Sequence, residues 1–535
     1  MTTPRNFFHS AIRNPQSAFI LAVVCLAVFQ FSENTVDPDL WGHIYYGRQL
    51  VETGKPTEFD VNSWTAHGLP SFDHEYLGEA VFALAWLWLG GTGLLLLKIA
   101  VGLLTFGIAL STAAREMDSS AKLVAWAFGA LAVVEISFGF AARPQIFTAL
   151  LLAIELWLLA RIHSGTWRWA FVLPPMFALW FNLHGGALVG MVLLFAAAGA
   201  ASAQCVLAKV GFGKSEDSVP SPNAIPALWI SAVVSAATVV LNPHGPELAR
   251  WLIGSILWLR PQIQEWNPAP LSWDHAAFFI CAALAVMAFV ASRRPRRLWE
   301  IVALAFLFLV GFRAVRNAPL FCIAALALVP PHLADALKRG QQHFLRLMEA
   351  FSSPGVQRPC TVLLLFVSAG IVVATLTLHK KRFWTMEIPD DRYPVAATRF
   401  IQQHGVHGNV VVFFDWGEMC IWNLPDSRVS IDGRLDSVYP PDIIAAHWDL
   451  YNGRSFDTNS LNIAKADYAL LPSHLAGAQY LAETYGWLPV YFDDLAVVLV
   501  KNPRQFPELA GLKLPVQGGA DATQGREPFP NRLPR

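Results

Sequence analysis

"FSENTVDPDLWGHIYYGRQL" (residues 31–50) ends one apolar run and at once places Asp37 and Asp39 beside Trp41, Tyr45 and Tyr46. Carboxylates are costly near lipid, so acids followed by aromatics mark a point where a chain leaves a bilayer and meets water. Asp37-Pro38-Asp39 fits a helix start with proline in its first turn, and Gly54 with Pro56 fits the end of that helix. Leu40, Trp41, Ile44, Tyr45 and Leu50 between them give an apolar stripe suited to lying along a membrane interface.

The composition agrees with that reading. Of 535 residues 54% are hydrophobic and 15% charged, against roughly 25% charged in a soluble domain, so an integral membrane protein is expected. Lys plus Arg (39) equals Asp plus Glu (39), which gives no basis for a nucleic-acid partner. Cys25, Cys205, Cys281 and Cys322 lie in apolar segments and Cys420 stands alone near the C-terminus, so neither a disulfide framework nor a zinc spacing is present. The first apolar run follows Arg5 and Arg13 without a clear cleavage site, so no cleavable signal is expected.

With about 20 apolar residues per span, hydropathy marks segments near 16–32, 93–114, 121–140, 144–161, 168–183, 186–208, 225–241, 275–292, 298–315, 318–334 and 360–378, about eleven spans. The segment 75–90 reads equally as a span, a re-entrant helix, or the first half of a bent helix broken at "GGTG". Positive charge decides between the counts. With 75–90 not a full crossing, Arg5, Arg13, Arg115, Lys122, Arg161, Arg168, Lys209, Lys214, "RRPRR" (293–297), Lys338, Arg339, Arg346 and Arg358 share one face, the cytoplasm. "AARPQ" (141–145), "NLHGG" (182–186), "LNPHG" (241–245), "RNAP" (316–319), the loop 33–75 and everything after 379 then share the other.

The expected organisation is a transmembrane domain over 1–378 with a long first external loop at 33–75, an α/β domain over 379–501, and a disordered tail over 502–535 where Pro, Gly and Gln rise. "NVVVFF" (409–414), "SRVSID" (427–432), "YALLP" (468–472) and "LAVVLV" (495–500) read as strands, with helices over 394–405 and 476–486. "ELARWLIGSILWLRPQIQEW" (247–266) reads as a second interfacial piece.

Candidate chemistry gathers on the external face. Asp37 and Asp39 could together hold a divalent metal, Mg or Mn, or one could act as a general base; a helix cap explains the same pair without chemistry. Asp73, His74 and Glu75 return the loop to apolar sequence near them, as ligands or as a capped surface turn. Arg143, Arg313 and Arg316 offer forked donors matched to phosphate oxygens, or snorkel to headgroups. Asn182 with His184 and Asn242 with His244, each in an Asn-x-His-Gly frame, suit sugar hydroxyls or a phosphate, or end helices.

This pattern of many spans, an acidic pair in a long first external loop, external interfacial helices and an external C-terminal α/β domain resembles the GT-C membrane glycosyltransferases, among them polyprenol-phosphate-dependent transferases and oligosaccharyltransferase subunits. "FFDWGEMCIWNLPDSRVSIDGR" (413–434) is similar to the Trp-Trp-Asp-Tyr-Gly signature of oligosaccharyltransferases, with Phe413, Phe414, Asp415, Trp416 and Gly417 in its positions; the two phenylalanines depart from it. Glu265 is the only acid located like that family's later metal ligand, and its "IQEW" context departs too.

The resemblance implies an inverting transfer of sugar from a polyprenyl phosphate or diphosphate to an unknown glycan, lipid or protein acceptor at the outer face of a bacterial inner membrane. It implies a cytoplasmic N-terminus and a periplasmic C-terminal domain. Asp37, and then Asp39, would be base or metal ligand, with Trp41, Tyr45 and Trp416 as flat faces for sugar or lipid head. A non-catalytic GT-C-like subunit of an envelope complex is the alternative.

Overall fold

The computed structural model describes residues 15–119, 121–210, 219–257, 260–339, 354–378, 384–510, 512–517 and 527–530. Arg5, Arg13, Lys214 and Arg346, used above to orient the chain, lie outside them, as do 511, 518–526 and 531–535 of the tail. The chain forms two compact units, Met1–Glu33 with Leu96–Phe383, and Asn34–Leu95 with Trp384–Arg535. Residues 34–95 thus belong with the C-terminal region, a grouping that differs from the boundaries expected at 378 and 379.

The first unit is helical, and every segment that hydropathy marked carries helix. Among the described residues, seven helical stretches are long and apolar enough to cross a membrane: Tyr76–Ala114, Gln145–His163, Ala187–Lys209, Ala224–Leu241, Trp273–Ala291, Val315–Arg339 and Gln357–Thr377. Pro15–Phe31, Lys122–Phe138 and Leu298–Arg313 are apolar but shorter. Residues 168–183 form a 3-10 turn, Trp167–Val172, and a short helix, Leu173–Leu183. The helix Ala318–Arg339 is buried without interruption from Ala318 to His332. It packs on Ala276–Ala291, Lys122–Phe138, Leu298–Arg313 and Gln145–His163, as expected of a helix apolar on all sides. The "RRPRR" run is pinned by Glu116, which pairs with Arg294 and Arg297 at 2.7 Å each.

Helix Tyr76–Ala114 is interrupted at Gly90, whose φ of 59° and ψ of −146° only glycine reaches readily. The break falls inside "GGTG", which is the bent-helix alternative for 75–90.

The second unit is built on a six-stranded sheet. Its strands are β2 (Gly408–Val412), β3 (Ser427–Val429), β4 (Tyr468–Pro472), β5 (Leu488–Phe492), β6 (Ala496–Val500) and β7 (Val516–Gln517), in the order β3-β2-β4-β6-β5-β7. β2 runs parallel to β3 and β4, and β6 is antiparallel to β4 and β5. A separate pair joins β1 (Glu387–Ile388) to β8 (Glu527–Pro528). Within the segment read as a disordered tail, β7 and β8 are paired strands, while 511, 518–526 and 531–535 lie outside the described residues. Val411, Leu450, Leu471, Leu481, Trp487 and Leu499 share one core below the sheet's helices.

The segment 62–72 is stitched to this sheet. Ser63 bridges Val429 in parallel register, with Val429 N–H donating to Asn62 O and Trp64 N–H to Val429 O, both at 3.0 Å. Trp64 Nε1 donates to Val410 O at 3.0 Å, and Phe72 N–H to Ser437 O at 2.8 Å. The loop therefore acts as an added edge of the sheet, which protects strand β3 from pairing elsewhere.

Candidate active site

Helix Leu40–Thr53 begins directly after Asp39 and ends at Gly54, whose φ of 72° lets its N–H reach Leu50 O at 2.7 Å. Asp37 Oδ1 accepts from Asp39 N–H at 3.1 Å, so Asp37 turns the chain into the helix. Asp39 stands at the cap position, yet the helix's third N–H, that of Gly42, donates to Glu418 Oε2 at 2.9 Å. A side chain at Gly42 would collide with that carboxyl. A Cβ at Gly433 would meet Asp39 Oδ1 at 2.5 Å and Glu418 Oε1 at 2.8 Å, so glycine there lets the two carboxyls converge.

Glu418 is buried. Burial raises its pKa well above the usual carboxylate range, Asp39 and Asp432 add to the rise, Arg434 opposes it, and Glu79 adds again. A carboxyl with a raised pKa binds its proton in the folded state at pH values where the unfolded chain has released it. Stability therefore falls as pH rises above the ordinary glutamate value of about 4.3. Glu418→Gln keeps an oxygen for Gly42 N–H and removes the titration. The variant should flatten this slope and raise the unfolding temperature of the second unit at neutral pH by about 2–4 °C per kcal/mol recovered. Labelling of buried Cys420 during heating at pH 5 and pH 8 reads it; an unchanged slope would refute the assignment.

Around this pair lie more ionisable groups. His43 Nδ1 meets Glu79 Oε1 at 3.1 Å, and His74 Nε2 meets Glu75 Oε1 at 3.1 Å. Asp73 Oδ1 accepts from Glu75 N–H at 3.2 Å. Burial, then Glu79, hold the Asp73 carboxyl well above its usual range. For His74 burial pulls down, but Glu75 outweighs it and the imidazole is raised.

Arg434 locks the site from below. Its guanidinium takes Asp432 with Nε at 2.9 Å and Nη2 at 2.7 Å, and Asp60 Oδ1 with Nη2 at 2.6 Å. Tyr439 O–H donates to Asp432 Oδ2 at 2.7 Å, and Asp60 Oδ2 accepts from Ser63 N–H and O–H. Asp60 and Asp432 are fully buried, so both need this one cation. The guanidinium also lies 4.8 Å from the ring centre of Tyr46, which accepts from Asn62 Nδ2, while Tyr45 O–H donates to Asn62 Oδ1.

Of the aromatics expected to face a ligand, Tyr45 is partly exposed, whereas Trp41 and Trp416 are core residues. Trp41 has no exposed surface and packs edge-on against Tyr393 at 4.8 Å and against Phe529. Trp416 is buried, donates Nε1–H to Arg392 O at 3.0 Å, and meets Phe413 at 5.5 Å. The stripe Leu40, Trp41, Ile44 faces protein rather than an interface, because periodicity shows that a face is covered and not by what. Asp415 is exposed in the turn between β2 and helix Gly417–Asn423.

In the first unit Arg143 and Arg316 converge on Glu265, at 3.3 and 2.9 Å. Burial opposes ionisation of Glu265, but Arg316 and Arg143 outweigh it and hold its pKa below the usual value. Arg316 also donates to Gln145 Oε1 at 3.2 Å and lies 4.7 Å from the Trp266 ring centre. Arg313 is exposed at the end of helix Leu298–Arg313. The two Asn-x-His-Gly turns are tied together: Asn242 Nδ2 donates to Asn182 Oδ1 at 3.2 Å and to Phe181 O at 3.1 Å, and Asn242 Oδ1 takes His244 N–H.

Sequence reasoning missed Glu418, His43, Glu79 and Arg434 as members of the acidic site. The signal was charge inside apolar sequence, Glu418 within "WGEMCIW" and Glu79 within "YLGEAVF", because charge is rarely buried without a partner. Among the described residues no group of three or more His, Cys, Asp or Glu side chains is placed to hold a metal ion.

No protein-family model matches the sequence, and no curated protein does. Solved structures do match in shape. The apo oligosaccharyltransferase of Archaeoglobus fulgidus aligns over 86% of this chain and 69% of its own, with a TM-score of 0.55 at 12% identity. Apo ArnT of Cupriavidus metallidurans aligns over 92% of this chain and 98% of its own, with a TM-score of 0.54 at 15% identity. Mycobacterial arabinofuranosyltransferase AftD gives 0.50 at 14% identity, over 90% of this chain and 41% of its own. The chain thus has the fold of the GT-C membrane glycosyltransferases.

Proposed function

We propose that the protein is an inverting glycosyltransferase of eleven spans. It moves a sugar from a polyprenyl phosphate or diphosphate to an acceptor hydroxyl at the outer face of a bacterial inner membrane. Its N-terminus is cytoplasmic and its sheet-bearing unit periplasmic. The observation that carries this reading is the acidic pair Asp37 and Asp39 at the mouth of helix Leu40–Thr53, in a fold shared with glycosyltransferases. Matching structures hold lipid phosphates: ArnT was solved with undecaprenyl phosphate and the archaeal oligosaccharyltransferase with dolichol-phosphate and an inhibitory peptide.

Asp37 removes the acceptor's proton as the hydroxyl attacks the anomeric carbon, and the lipid phosphate leaves with the bonding electrons. In the first unit, the forked donors of Arg143, Arg316 and the exposed Arg313 suit the charge of a lipid phosphate. His184 and His244 are further donors in the first unit, and Asp73, His74 and Glu75 form a charged turn of the second. No step is assigned to a metal.

One observation favours the subunit reading: Glu265 already neutralises part of the Arg143 and Arg316 charge. Binding of undecaprenyl phosphate to purified protein separates the two. Arg143→Ala and Arg316→Ala are each expected to weaken binding by about 10- to 100-fold, the worth of a charged hydrogen bond. Wild-type protein that binds no polyprenyl phosphate, with or without sugar, would favour the scaffold.

A further inference from the structure

The turn Asn182–Gly186 carries a hydrogen-bond relay whose direction is forced by its ends. Trp180, fully buried on helix Leu173–Leu183, donates Nε1–H to Thr148 Oγ1 at 2.9 Å. An indole N–H can only donate, so the Thr148 oxygen accepts and its own hydrogen must go elsewhere. His184 Nδ1 lies 2.8 Å from Thr148 Oγ1, and it takes that hydrogen because the Gly186 N–H already requires a lone pair on Nδ1. Gly186 N–H, also a donor only, points at the same Nδ1 from 2.9 Å. Two donors on one ring nitrogen require its lone pair, and Nε2 therefore carries the ring's hydrogen.

The packing is specific to this arrangement. A Cβ on Gly186 would collide with Thr148 Oγ1 and meet His184 Nδ1 at 2.8 Å. A Cβ on Gly190 would meet the Trp180 ring at 2.6 Å. Glycines at 186 and 190 thus clear the space in which Trp180, Thr148 and His184 approach each other. His184 has an extended backbone (φ −169°, ψ 143°) at the end of its helix. A second proton on Nδ1 would face the Gly186 N–H head-on and break the turn.

We propose that Thr148 and Trp180 are positioning residues that fix His184 as a neutral Nε2–H donor, and that its ligand is an acceptor oxygen of the donor lipid's phosphate. The ligand rests on the glycosyltransferase reading above; the relay does not. His184 on this account orients and never transfers a proton. A cationic or Nδ1–H imidazole would instead suit an acid or base role.

The test is nitrogen NMR of protein labelled with 15N-histidine, with His184→Asn to assign the signal, alongside undecaprenyl phosphate binding. Wild type should show an unprotonated Nδ1 and a protonated Nε2 at His184. Thr148→Val should mix the tautomers and weaken binding by about fivefold to tenfold, the worth of one hydrogen bond, while Thr148→Ser should restore both. Trp180→Phe, which keeps the ring, should give a smaller change in the same direction. An Nδ1–H or doubly protonated ring in wild type, or a tautomer unmoved by Thr148→Val, would overturn the relay. Binding unchanged in Thr148→Val after its tautomer is lost would overturn the ligand. Wild type that binds no lipid phosphate would remove the ligand and the donor reading together, with the nitrogen spectra still deciding the relay.

Discussion

Asp37→Asn should lower kcat by about 10²- to 10⁴-fold, the range for loss of a positioned general base, while binding of the polyprenyl donor stays within about twofold. Asparagine keeps the side-chain oxygen that accepts Asp39 N–H at 3.1 Å, so the entry to helix Leu40–Thr53 should survive. Loss of rate then reports the missing base rather than a displaced helix. Asp39→Asn is the informative comparison. Asp39 shares the space beside Gly433 with the Glu418 carboxyl, so removing its charge also relieves a repulsion. Its loss of rate should be smaller and its fold no less stable. Turnover of Asp37→Asn within tenfold of wild type, measured with a polyprenyl-phosphate sugar that wild type consumes, would exclude Asp37 as the base.

Arg434→Ala should destabilise the second unit by about 3–5 kcal/mol, the cost of stranding a buried partner charge. The guanidinium is the shared partner of Asp60 and Asp432, both fully buried, and water cannot replace it. Asp432 is held below the usual carboxylate range; burial works against this, and Arg434 supplies the larger opposing pull. Its stabilisation is therefore present above the unfolded aspartate value and lost as pH falls through the folded one. That slope is opposite in sign to the one at Glu418. In Arg434→Ala the Asp432 slope should vanish or reverse, and adding Asp60→Asn with Asp432→Asn should recover part of the loss. Exposure of Cys420 on heating or in urea gives the measurement. A loss below about 1 kcal/mol, the value of a surface pair, would show that the triad is solvated.

The sequence carried the local elements well where one period ruled. "YALLP" is a strand over the same residues, Tyr468–Pro472, and helix Val395–Gln403 falls inside 394–405. Strand Leu488–Phe492 escaped because Pro489 reads against a strand; the structure accommodates it at a register shift between Pro489 and Tyr491. Helix Pro441–Tyr451 escaped because Pro440-Pro441 reads as a break, although proline is well suited to a first helical position. Asp37 and Asp39 were legible as candidates from their setting. Glu418 and Arg434 were not, since Gly42 and Asp60, the partners that tie them to the first part of the chain, lie more than 370 positions away. Nothing in a single sequence records a contact at that separation. Distant neighbours, Tyr393 and Phe529, likewise make Trp41 a core residue, while Trp416, also taken for a ligand face, is buried against nearby Arg392 and Phe413.

The seam between Asn62–Trp64 and Val429 also orders events in time. Residues 34–95 leave the ribosome first, and their sheet partners in 384–535 follow only after the whole intervening helical unit has been made. At roughly 5–20 residues per second, Asp37, Asp39 and Asp60 wait for tens of seconds before Glu418 and Arg434 exist to meet them. A chain that stops before residue 418 can therefore be inserted and helical yet never assemble the cluster of Asp39, Glu418, Asp60 and Arg434.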